Sequence, residues 1–161
     1  MKKLLYFLFL VSLISCSTVQ NYTSNELNPE YYREKNLTFQ MTSTGAQIIN
    51  MEGAYVGNVA QPDFKETFAA AVLEMAEETK LNLKTGSYPD SNIDVKVLEA
   101  NWDFKLSSAE LITKINFHTS FGNYETVGKF KNVGGGSERK NLKNSFKNAI
   151  YNFLMEYQKR K

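Results

Sequence analysis

The chain has 161 residues, with 19 Lys and Arg against 17 Asp and Glu, and aromatic residues make up 13% of it. Lys2 and Lys3 account for the whole basic excess, so the rest of the chain is balanced at 17 to 17 and offers no electrostatic footing for nucleic acid. A single cysteine, Cys16, excludes an internal disulfide, and the roughly 125 residues beyond a short N-terminal segment suffice for one packed domain.

Met1-Lys2-Lys3 is a positive start, and Leu4 to Ile14 follow as eleven residues, apolar except for Tyr6 and Ser12. Ser15 and Cys16 end the run. A charged start, a short apolar stretch and a small residue at the end have the order of a secretory signal peptide. Eleven helical residues cover only about 16 Å, roughly half of a bilayer's hydrocarbon core. That is too short for a membrane span. Leu13-Ile14-Ser15-Cys16 resembles the lipobox of bacterial lipoproteins. The resemblance implies a diacylglycerol on the Cys16 thiol, cleavage that leaves Cys16 as the new N-terminus, and acylation of its amine. Each buried methylene contributes about 0.8 kcal/mol, so two or three chains make the attachment effectively permanent. Ser17 stands where an aspartate would imply retention in the inner membrane, and no acidic run follows to resemble a surface-export signal. The resemblance therefore implies a lipid-anchored protein of the outer membrane, facing the periplasm. Residues 1–15 are then signal peptide, 16–36 the lipidated cysteine and a polar tether, and 37–161 a single domain.

Along the tether, "STVQNYTSNELNPEYYREKN" keeps no period and contains Pro29. Tyr31 and Tyr32 are its exception, expected to dock on the domain or at an interface. Leu37 to Met41 alternates apolar with polar and predicts a half-buried strand. Ile48-Ile49 and Tyr55-Val56 are compatible with short strands between glycines. After Pro62 the period changes. Asp63 and Glu66 have capping-box spacing, and Phe64, Phe68, Ala71, Val72, Met75 and Thr79 predict an amphipathic helix over about 63–81. Ile93 to Leu106 reads as a strand whose phase slips near Val97, the signature of a bulge. Ala109 to His118 and Tyr124 to Lys131 are further strands, with a turn expected at Gly122-Asn123 and short links that imply antiparallel hairpins. Leu142, Phe146, Ala149, Ile150, Phe153, Leu154 and Tyr157 mark a second amphipathic helix. The order strand, helix, three strands, helix predicts an α+β two-layer sandwich, an antiparallel sheet with two helices on one face.

Reaction chemistry is sparse. His118 is the only histidine, and with Cys16 lipidated no ligand set for zinc remains. No Gly-x-Ser-x-Gly elbow is present, and Gly134-Gly135-Gly136-Ser137 lacks the lysine of a phosphate loop. Catalytic residues, metal and cofactor are therefore not expected. One feature points outward. If Ala109, Leu111, Ile115 and Phe117 face the helices, Ile112 faces the other way, and Val127 joins it if Tyr124 and Phe130 point inward. On a two-layer fold that face is uncovered, a candidate partner surface.

Signal peptide, lipobox, tether and an α-β-β-β-α core together resemble the YajG-type small lipoproteins and the auxiliary lipoproteins of ABC-type transporters. Those families imply a non-enzymatic, membrane-tethered binding or scaffolding module in envelope assembly or transport, with envelope proteins as partners. The alternative is a carrier that holds a lipid or other apolar ligand between sheet and helices.

Overall fold

A computed structural model describes residue 22 and residues 26–53, 60–133 and 136–160. The signal segment, Cys16, the Tyr55-Val56 pair and Gly134-Gly135 lie outside the described residues. In chain order the elements are α1 (Pro29–Tyr32), β1 (Leu37–Met41), β2 (Ile48–Gly53), α2 (Phe64–Thr79), β3 (Leu83–Thr85), β4 (Ile93–Phe104), β5 (Ser108–Thr119), β6 (Gly122–Val133) and α3 (Glu138–Tyr157). The fold is the expected α+β arrangement, one sheet with its long helices on one side.

β4, β5 and β6 are the expected antiparallel hairpins. Their buried residues alternate: Leu111, Ile115 and Phe117 on β5 point into the core with Tyr124 and Phe130 on β6. On β4 the buried series Ile93, Val95, Val97 resumes as Ala100 and Trp102, and the pairing register shifts between Val97 and Glu99. Leu98 is the extra residue of the expected bulge. The β5–β6 turn differs from the expectation. It falls on Ser120 and Phe121, and Gly122 is already paired with Thr119. Gly122 opens the strand at a φ of +121°, a conformation L side chains avoid, so glycine marks the strand's first residue here, not the turn.

Among the described residues the sheet has six strands and is mixed, which corrects the expectation of a wholly antiparallel one. β1 pairs parallel with both β3 and β4, and β2 pairs parallel with the C-terminal half of β4. The chain leaves β2, crosses through α2 and re-enters at β3, and a helical crossover returns a strand parallel to its neighbour. β3 is only three residues long, too short for an alternating pattern to reveal it.

Both helices bury the residues their periodicity indicates. Asp63 caps α2 by accepting from the Glu66 N–H at 2.7 Å, while the Glu66 carboxylate is engaged by Arg139 of α3 at 2.6 Å. Between helices and sheet the space is filled by rings. Phe153 stacks on Phe117 at 4.5 Å between centroids, and Phe39, Phe68 and Phe146 meet one another or these rings edge-on or tilted at 5.5–6.4 Å. α3 also closes the edge of β6. The Lys129 N–H donates to Asn148 Oδ1 and Asn152 Nδ2 donates to the Val127 carbonyl, both at 2.8 Å, so polar side chains satisfy backbone groups of an edge strand.

The segment expected as a polar tether is packed from Glu26 onward, and Tyr22 with it. Tyr22, Leu27 and Tyr32 are buried. Tyr22 packs against Tyr151 with the rings tilted by 31° and 4.9 Å between centroids, and its N–H donates to Glu78 of α2 at 3.1 Å. Tyr151 donates to Glu26 at 2.6 Å, Gln158 exchanges bonds with Asn28 and Glu26, and Tyr31 and Tyr32 donate to the carbonyls of Tyr157 and Leu154. Tyr31 and Tyr32 dock on the domain. The result is a strap across both helices. Its anchoring residues are set by the helix residues they meet, so they show no period of their own.

Beneath Tyr22 lies an ion cluster. The Lys147 side chain is fully buried, its ammonium 3.0 Å from Glu74 and 2.6 Å from Glu78, and Lys143 pairs with Glu74 at 2.5 Å. Burial acts to raise the Glu74 carboxyl, but hydrogen bonds and charge from Lys143 and Lys147 outweigh it and hold it below its ordinary 4.5. A carboxyl lowered by folding contributes stability above its ordinary value, and that contribution is lost as pH falls through the folded-state value. Glu74→Gln should therefore flatten the fall in stability below about pH 4.5, read from urea midpoints across pH. An unchanged acid limb would assign that fall to other carboxylates.

Candidate functional site

The sheet surface opposite the helices is built by strand parity. Because Leu111, Thr113, Ile115 and Phe117 are buried, the residues between them on β5 point outward. The pairing registers then set rows across the strands. Glu52, Asp103, Glu110 and Lys131 form one row; Asn101, Ile112 and Lys129 the next; then Ile48, Glu99, Lys114 and Val127. Lys96, Asn116 and Glu125 follow, and Asp94, His118 and Asn123 close the series. Ile112 and Val127 share this face as diagonal neighbours, Ile112 half-buried among its neighbours and Val127 47% exposed. Ile48, 53% exposed, is a third apolar residue on the same side.

The polar residues around them hold one another in place. Lys114 and Glu125 pair at 2.9 Å, and that hydrogen bond, with the carboxylate's charge, raises the Lys114 ammonium above its usual value. Lys105 is raised in the same way by Asp103 at 3.0 Å. Asn50 donates to Asn101 at 2.7 Å, and Nδ1 of His118 lies 2.7 Å from Asn123 Oδ1. Two shallow depressions interrupt the surface. One, of about 180 Å³, lies beside Ile112 and is lined by Asn50, Glu52, Asn101, Asp103 and Glu110. The other, about 310 Å³, lies over Lys96, Asn116 and His118.

Such a face offers hydrogen bonds, charges of both signs and a few apolar side chains on a rigid backbone. Those are the ingredients of a protein-contact surface with a mostly polar composition. Carboxylates stand directly opposite each other at Asp103 and Glu110, with Glu52 beyond, an arrangement that opposes sheet pairing. Among the described residues no group of three or more His, Cys, Asp and Glu converges to hold a metal ion. His118, the sole histidine, lies exposed on this surface.

Cys16 lies outside the described residues, and among those described no helix is long and apolar enough to cross a membrane. The buried Lys147 cluster is not among the features expected from the sequence, although a signal for it is present. Glu74 and Glu78 on one helix, and Lys143 and Lys147 on the other, each repeat at a spacing of four, so opposite charges line two facing helix flanks. No protein-family model matches the chain, and no curated protein matches it.

Proposed function

We propose that this protein is a non-enzymatic lipoprotein, anchored in the bacterial outer membrane through Cys16, that binds or scaffolds other envelope proteins in assembly or transport. The anchor rests on the lipobox resemblance. The binding role rests on one observation, the sheet face carrying Ile112 and Val127, which no element among the described residues covers. The alternative, a carrier of an apolar ligand between sheet and helices, is less well supported. That space is occupied by Phe39, Phe68, Phe117, Phe146 and Phe153, each no more than 1% exposed, and a ligand there would have to displace packed rings.

Two experiments test the proposal. Cys16→Ala should abolish fatty-acid labelling and leave an uncleaved or mislocalised precursor, because acylation and the lipoprotein-specific cut both need the thiol. Normal labelling of that variant would refute the anchor. Ile112→Lys combined with Val127→Lys should leave the urea midpoint nearly unchanged, since both side chains point away from the core. It should also abolish recovery of partners from crosslinked cells, because a partner would have to bury unpaired ammonium groups. A folded double variant that recovers every partner would remove this face from consideration.

A further inference from the structure

The strap bears on how the open face is presented. Tyr22 bridges α2 and α3 from the side away from the sheet: its N–H is bonded to Glu78, its ring packs at a tilt against Tyr151, and the Lys147 ammonium lies 5.8 Å from the Tyr22 ring. The other side of the same helices is filled by Phe68, Phe146 and Phe153 against the sheet. The strap, the helices and the sheet therefore stack in that order, and the rows containing Ile112 and Val127 form the outermost surface at the far end.

Chain length sets the remaining constraint. Cys16 and Tyr22 are six residues apart, so even fully extended chain places the anchored cysteine within about 20 Å of the docked tyrosine. A tether free as far as residue 36 would allow the domain to tumble. A tether that ends at Tyr22 does not. The outward sheet surface lies about 20 Å beyond the strap, one helix diameter of about 10 Å plus a sheet layer of about 10 Å. To let that surface face the membrane, the tether would have to run the longer way around the domain's flank.

We infer that the docked strap seats the domain on a lipid bilayer with its helix layer toward the membrane, so that the open sheet face is turned away, toward partners arriving from the aqueous side. The inference rests on the proposed acylation of Cys16. Leu73 of α2, 58% exposed on a helix whose buried residues face the core, then stands on the membrane side, and Val127 on the far side.

The full acylated chain supplies the test, in vesicles of phosphatidylethanolamine and phosphatidylglycerol carrying a headgroup-chelated nickel lipid. Spin labels are attached at Leu73→Cys and, separately, at Val127→Cys, and collision with nickel is read by power saturation. Mass analysis of the N-terminal peptide reports acylation in the same samples. The expected result is a collision rate several-fold higher at residue 73 than at 127. Releasing the strap with Tyr22→Ser and Tyr151→Ala should bring the two rates together, while circular dichroism shows the sheet intact. Acylated protein with equal rates, or with the higher rate at 127, overturns the orientation and leaves the anchor standing. A difference that survives strap release in folded protein overturns the strap as its cause. Protein without acyl chains refutes the anchor, and the orientation falls with it.

Discussion

Phe153→Ala is expected to cost about 3–5 kcal/mol of folding stability, the range for deleting a large buried ring that leaves a cavity. Phe153 is fully buried on α3 and is the hub of the aromatic layer. It stacks on Phe117 and meets Phe39 at 6.0 Å, Tyr124 at 5.4 Å and Tyr157 at 5.3 Å. These neighbours come from three strands and from α3 itself, so no single element can relax into the space. Urea unfolding of a chain beginning at Ser17, which keeps Tyr22 and the strap, measures the loss. Leu73→Ala, at an exposed site, should change stability by less than about 0.5 kcal/mol in the same assay. Similar small losses at both positions would mean that the helix faces are assigned wrongly.

Gly128→Ala should be nearly as damaging, with a loss of about 3 kcal/mol, the upper end for overpacking a tight contact. A Cβ at Gly128 would sit 2.0 Å from the Ser145 carbonyl oxygen and 2.8 Å from Thr113 Oγ1. The first of these is helix backbone and cannot swing aside. α3 would have to lift from β6, straining the Thr113–Ser145 hydroxyl pair at 2.9 Å and the Thr126 bond to the Ala149 carbonyl at 3.0 Å. Lifting the helix would also bare the β6 edge that Asn148 and Asn152 cover, so the variant should self-associate through that strand. Urea midpoints and sedimentation together check the expectation. A stable monomer would show that the helix has room to move.

Part of the candidate site is legible in the sequence. Alternation on two strands leaves only two sides to choose from, so Ile112 and Val127 fall on one face, and the turned-in Leu111, Phe117, Tyr124 and Phe130 decide which. The charged rows flanking them are not legible there, because they depend on cross-strand register. One residue of slip would send every side chain to the opposite face, and the shift at Leu98 moves half of β4 relative to its partner.

The sequence by itself determined the two long amphipathic helices, the three antiparallel strands, the bulge near Val97 and the α+β class. Each of these is a local periodicity of apolar residues, and local periodicity is what a linear string records. Only the tertiary structure decided that β1 and β2 lie parallel to β4, that a glycine at 128 lets α3 approach β6, and that Lys147 is buried beneath Tyr22. It alone also decided that the supposed tether from Glu26 to Asn36 is part of the domain. Those features depend on which surfaces meet across the chain: Tyr32 is buried with its hydroxyl on the Leu154 carbonyl, and Lys147 against carboxylates about seventy residues away in sequence. Contacts at that separation leave no period to read, because their residues are selected by a shape that exists only once the helices have packed.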